Sequence, residues 1–544
     1  MYHDCRRTID YVARVIGIAL IAGGLSPIPC AASEQIEPTW TSCAPPGLHS
    51  EVFAASIAGQ SVPVISFGDI DYVHFSCHEP VKLVVRRSDG KAARRCRVRP
   101  EHVSISTTIT EATVRFPVSP GQKLVVNVDH LRKLFVFAER EDADTGNADR
   151  PERVDIVRQG ADPTGRQDCT DVVQAAIDSL PHDGVLFIPP GCYRTGSLRL
   201  KSNMTLHLAR GALLKGSDDH RRFRRYHDGS YLYYLLADGV ENVCVTGHGT
   251  MDANGYHVRR ACQAERGLRK QPGRLLLCTN SRNVQIHDVV LRDSFSWTLH
   301  LADCEDCVLQ NVKLLADTRH SNVDGLDVDG CRRLKAEDLF IYSEDDAISV
   351  KAAWSRETPE DLSFLNCVLW AQNATGVRIG TETRSEAFRR IRFEGLSILR
   401  ANAMIRVFCY DGAAIEDLVF RNIHTEEVSM YAPAGYDEFH RISEVSKGET
   451  YLLQLQVRKR GDTSLGSIRN IVFEDVHAAV PAGSKIKGYD APEGIILIRD
   501  VTFRNLHIGD QWIRDPATGH FNINDHVRGV RFETRPIKDE GPGA

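Results

Sequence analysis

The 544-residue chain contains no apolar run long enough to cross a bilayer. Its N-terminal run VIGIALIAGGL (15–25) has about half of the roughly 20 residues a spanning helix needs. With Arg6, Arg7 and Arg14 ahead of it and the small-residue stretch PCAAS (29–33) behind, it reads instead as a signal peptide over 1–32, which implies a secreted or periplasmic protein. A strong charge of either sign is also missing. The formal net charge is −5, which argues against nucleic acid as a partner. Cysteine is present at 15 positions but lacks metal-site spacing: Cys304 and Cys307 have no second pair, and the 13 cysteines beyond the signal are an odd number. Buried thiols are the expectation.

Helical periodicity is nearly absent too. Beyond the middle of the chain's first half only residues 168–180 (DCTDVVQAAIDSL) place apolar side chains on one helical face. What is there instead is strand patterning. Short alternating runs such as VKLVVRRS (81–88), ATVRFPV (112–118) and KLVVNV (123–128) predict a small antiparallel β-sandwich over 33–145. The polar stretch 139–151 reads as a linker.

From residue 151 to 544 the strands repeat. VQIHDVVL, CVLQNVKL, LKAEDLFI, LSFLNCVL, IRFEGLSI, LVFRNIHT, IVFEDVHA and VTFRNLHI each break an apolar alternation with Asn, Asp or Gly, at 288, 311, 338, 366, 395, 422, 475 and 505. Six of the seven intervals fall between 23 and 30 residues; the other is 53, which means either a degenerate rung or an insertion. Such a period belongs to a solenoid whose repeats bury apolar surface only by stacking. The frame of a leucine-rich repeat is missing, so the expected fold is all-β: a right-handed parallel β-helix behind the sandwich, with the helix at 168–180 capping the first rung.

In the stretch YSEDDAISVK (342–351) three carboxylates stand side by side in a strand-like setting. On a regular strand Asp345 and Asp346 would face opposite sides, one of them into an apolar core, so a bend or bulge is expected there. Asp324 precedes Asp345 by 21 residues, near one rung, and joins them on one face. Crowded carboxylates split their pKa values, which provides a proton donor and an acceptor. Solvated bend residues and calcium ligands are the alternatives. Lys351, Arg378 and Arg406 follow at close to the same period, one cation per rung.

The motifs GADPTGRQDCTDVVQAAID (160–178), SFSWTLHLADC (294–304), SNVDGLDV (321–328), EDDAISVK (344–351) and GVRIGTE (376–382) occur in an order that resembles glycoside hydrolase family 28, the polygalacturonase family of parallel β-helices. The resemblance implies that Asp345 is the general acid, and that Asp324 and Asp346 activate water for inversion. Asn322 matches the family's Asn-x-Asp. Thr375 stands where the family has a histidine, and Met404-Ile-Arg406 keeps the second cation of its Arg-Ile-Lys and loses the first. Asn322, Lys351, Thr375, Arg378 and Arg406 are the expected substrate-binding residues. The sandwich is similar to that of family 49 dextranases and some bacterial family 28 enzymes. The expected protein is a monomeric pectic-polymer or oligosaccharide hydrolase needing no cofactor or metal and, once the signal is cleaved, no membrane. The alternatives are a neutral α-glucan hydrolase and a non-catalytic polysaccharide-binding β-helix.

Overall fold

All eight residues at which the repeat breaks adopt left-handed backbone: Asp288 (φ 65°), Asn311 (54°), Asp338 (59°), Asn366 (54°), Gly395 (70°), Asn422 (52°), Asp475 (54°) and Asn505 (54°). Glycine reaches that region freely, and Asn and Asp tolerate it because their short polar side chains bond locally. Each therefore turns the chain at the same point of every coil, and some are tied to the next: Asn311 Nδ2 donates to Asp288 Oδ1 at 2.8 Å, and Asn505 Nδ2 to Asp475 Oδ1 at 2.7 Å. The computed structural model describes residues 49–140, 153–227, 231–266, 273–429, 450–479 and 482–534. The expected signal peptide, most of the linker and most of 429–462 lie outside them.

The coils stack as a parallel β-helix. A 22-stranded and a 12-stranded sheet, almost wholly parallel, run its length. Inside, Phe364, Phe393, Phe420, Phe473 and Phe503 form a file with ring centroids 4.7, 5.1, 4.8 and 5.0 Å apart, close to the spacing of neighbouring strands, about 4.8 Å. The 53-residue interval is one coil with an insertion and not a degenerate rung, because Leu418 pairs directly with Ile471. The strand Tyr451–Val457 takes the coil's regular place in the 12-stranded sheet, between Ala403–Cys409 and Ser484–Gly488, so the extra residues lie between Thr425 and Tyr451 in the chain.

Helix α1 (Thr170–Ser179) buries Val173, Ala176 and Ile177 in the first coils. A second helix, α2 (Gly255–Arg266), was not expected. Its sequence GYHVRRACQAER has few large apolar residues, and only Val258 and Cys262, one turn apart, join the core. The twelve described cysteines beyond the signal are free thiols, most of them buried.

Residues 53–140 form two five-stranded sheets. Pairing is antiparallel except for Lys133–Arg140, which runs parallel to Ile70–Cys77. This strand carries the join to the β-helix. Phe135 and Phe137 pack edge-on against Phe340 at 5.0 and 4.9 Å. Glu139, expected at the start of a linker, is instead the buried end of that strand. It forms an ion pair with the fully buried Lys313, and its Oε1 and Oε2 meet His74 Nε2 at 2.7 Å and Asn311 Nδ2 at 2.6 Å.

Candidate active site

The three aspartates lie not on strands but in bends. Asp345 and Asp346 occupy the corner between strands Phe340–Ser343 and Ile348–Ala352, and Asp324 the corner before Leu326–Asp329. Leu326 pairs with Ile348, and the amide of Gly325 donates to the Asp346 carbonyl at 2.9 Å, so the two corners stack. Neither neighbour needs to enter the core, because a bend is free of strand alternation. Gly325 is required between them. A Cβ there would lie 2.3 Å from Ile341 Cγ2 and 2.5 Å from the Ala347 oxygen.

Chain neighbours meet opposite surroundings at this corner. Asp346 is buried, accepts from the Thr375 amide at 3.0 Å and faces Arg378 Nε at 3.1 Å. Burial alone would raise its pKa, but Arg378, Lys351 and Arg406 outweigh that and hold it below the usual carboxylate value. The half-buried Asp345 side chain has no hydrogen bond or ion pair within the described residues. Burial, then Asp324 and Asp346, push it up to about 8.

Asp324 shares its cation with a fourth carboxylate, Asp327. Lys351 Nζ lies 3.1 Å from Asp324 Oδ2 and 2.6 Å from Asp327 Oδ1. One ammonium cannot offset two buried carboxylates. Burial and the neighbours Asp327 and Asp346 raise Asp324 well above its ordinary value, and burial brings Asp327 to about 6 against the pull of Lys351. Burial would depress Lys351, yet these acids raise it. Its Nζ also sits 3.7 Å above the Trp297 ring, whose π-system carries Arg274 at 3.8 Å. Arg274 in turn donates to His300 Nδ1 at 3.1 Å, and burial lowers His300 to about 4, leaving the imidazole neutral.

Asp327, Trp297, Arg274 and His300 were not singled out from the sequence. Asp327, Trp297 and His300 sit inside the motifs SNVDGLDV and SFSWTLHLADC. Pairing of His300 with Asp327 is what gathers them, and that register is not readable from spacing.

Of the expected substrate-binding residues, Arg378 and Arg406 are register partners on the outer face of the sheet. Lys351 is not on their row. The partner of Arg378 is Ser349, and Lys351 pairs with Asp329 and turns under the acids. Thr375 is fully buried: its amide holds Asp346 and its hydroxyl accepts from Arg406 Nη1 at 3.2 Å. Arg406 Nε donates to Gln454 Oε1 at 2.7 Å, and burial and Arg378 lower its pKa to about 10. The Asn322 amide proton goes to Glu344 Oε2 at 2.7 Å, and its Nδ2 lies 3.4 Å from Asp324 Oδ1. Glu344, also held by Asn373 Nδ2 at 2.9 Å, ties the corner to the next coil.

Residues 188–435, which contain the whole acid cluster, match the model of glycosyl hydrolases family 28. The match covers a little under half of the chain, and over that stretch the chain is similar to family 28. The chain is 30% identical over 203 residues to a probable polygalacturonase of Vitis vinifera, which covers 34% of this chain and 41% of that one. It thus spans less than half the length of that curated relative. In fold the protein is similar to the Yersinia enterocolitica family 28 exopolygalacturonase (TM-score 0.56, 14% identity, 89% of this chain and 100% of that one). It is equally similar to Dex49A from Penicillium minioluteum (TM-score 0.60, 14% identity, 90% and 96%). Both likenesses establish the β-helix.

Proposed function

We propose that the protein is an exported, inverting glycosidase that cleaves a pectic polysaccharide or oligosaccharide. One observation carries the reading: the half-buried Asp345 side chain has no hydrogen bond or ion pair among the described residues and is pushed up to about 8 by burial and its acid neighbours, beside an Asp346 that Arg378 at 3.1 Å helps hold below the usual carboxylate value. Asp345 then donates its proton to the leaving oxygen, and Asp346 accepts one from the attacking water. Asp324 flanks that water from the neighbouring corner, with Lys351 Nζ 3.1 Å from its Oδ2 pulling against the burial and acid neighbours that raise its proton affinity. The inverting course is the one implied by the family 28 resemblance.

A uronate substrate is supported by the row of cations leading from the acids. Arg378, Arg406 and Lys485 lie in register on one face, with Gln454 between the last two. Guanidinium groups suit the carboxylates of galacturonic acid residues through paired hydrogen bonds. Export rests on the arginines and apolar run that open the chain.

The test is reducing-sugar release from polygalacturonate, rhamnogalacturonan and dextran by the wild type and by Asp345→Asn. Cleavage of a uronan that falls by about 10²–10⁴-fold in the variant supports the reading. Undiminished turnover by Asp345→Asn, or cleavage of dextran alone, refutes it.

A further inference from the structure

Between the sandwich and the β-helix lies a cleft of about 760 Å³. Its walls carry six arginine or lysine side chains and two carboxylates, Asp129 and Glu427; four of the cations are paired with acids, Arg97 with Glu101, Arg99 with Glu426, Lys133 with Asp69 and Arg400 with Glu427, which leaves Arg94 and Arg95. Both carboxylates are already engaged. Asp129 takes Arg87 Nη1 at 2.5 Å and the backbone amides of Arg94 and Arg95 at 3.0 and 2.9 Å. Glu427 takes the Ser429 hydroxyl at 2.6 Å and faces Arg99 at 3.4 Å and Arg400 at 3.6 Å. The exposed guanidinium groups of Arg94 and Arg95 form no ion pair among the described residues, so the cleft keeps a surplus of positive charge.

The floor of the cleft joins the acid corner. Trp370 lines it, with Lys133 5.4 Å and Arg99 5.2 Å from the ring centroid and its Nε1 donating to Gln372 Oε1 at 2.8 Å. Gln372 lines it as well, and the next residue, Asn373, holds Glu344 beside Asp345.

We propose that this cleft is a second binding site for an anionic polysaccharide, apart from the acid cluster and built jointly by the two parts of the chain. The choice of ligand rests on the uronan reading above. Surplus arginines attract a polyanion and pair with its carboxylates. Once one stretch of polymer sits in the cleft, engagement of another stretch by the acid corner becomes intramolecular.

The test uses full-length Asp345→Asn protein, so that polymer is bound and not consumed. Polygalacturonate affinity is measured by calorimetry at low and high salt for this parent, for the cleft pair Arg94→Gln/Arg95→Gln, and for a control pair Lys82→Gln/Arg86→Gln. The control removes the same charge from exposed positions on another strand of the sandwich. The expected result is roughly tenfold weaker binding and a shallower salt dependence for the cleft pair, with the control pair near the parent. Equal affinities for the two pairs, whether both fall or both stay at the parent value, overturn the site. If the wild type cleaves no uronan but the cleft pair still weakens binding, the catalytic reading falls and this site stands. If the wild type cleaves a uronan but the cleft pair binds like the parent, the reverse holds.

Discussion

Arg378 Nε lies 3.1 Å from Asp346 Oδ2, and among the described residues no hydrogen bond or ion pair reaches the side chain of the preceding Asp345. Two neighbouring carboxylates are thereby given different proton affinities by one guanidinium and one bend. Acid and base work at the same site needs that division.

The division fixes a pH profile. Asp345 must be protonated and Asp346 ionised, so kcat/KM should fall as pH rises through about 8, where Asp345 loses its proton. It should also fall at acid pH, below the ordinary carboxylate range, where Asp346 gains one. Arg378→Gln removes the cation that lowers Asp346, so its acid limb should move upward. An acid limb unmoved in Arg378→Gln contradicts the pairing.

Lys351 serves two buried carboxylates at once. In Lys351→Met both Asp324 and Asp327 lose the cation that opposes their burial, so the proton affinity of each rises further and kcat should fall by about 10²-fold or more. A kcat near that of wild type would show that neither carboxylate needs its charge.

Gly325 separates the stacked corners, and its missing Cβ is filled by Ile341 and the Ala347 carbonyl. Gly325→Ala should cost about 1–3 kcal/mol in chemical denaturation, the range for overpacking, and should lower activity by displacing Asp324. Unchanged stability and activity would place that corner elsewhere.

The sandwich is fastened by buried charge. Glu139→Ala leaves Lys313 in the interface without its carboxylate. The loss should be about 3–5 kcal/mol, seen as a lower denaturation midpoint. A midpoint equal to that of wild type would mean that the interface admits water to Lys313.

Much of this was legible in the chain. The eight repeat-breaking residues were readable because left-handed corners admit few residue types, and every one sits at such a corner. Asp324, Asp345 and Asp346 were readable because the period carries residues onto stacked corners. Register was not. Lys351, Arg378 and Arg406 are nearly equally spaced, yet Arg378 pairs with Ser349, two residues short of Lys351, which pairs with Asp329. Counting residues also could not tell one lengthened coil from a degenerate rung between Asn422 and Asp475, which only the pairing of Leu418 with Ile471 decides. Arg274 and Trp297 escaped because their role comes from contacts across coils, and α2 because it buries too few side chains to show a period.

The most direct test of Asp345 as the proton donor compares two substrates that differ in their need for that proton. Asp345→Asn is assayed on polygalacturonate, whose leaving sugar must be protonated, and on a galacturonosyl fluoride, whose leaving fluoride needs little help. The account predicts a loss of about 10²–10⁴-fold on the polymer and a rate near wild type on the fluoride. Equal losses on both substrates would contradict it.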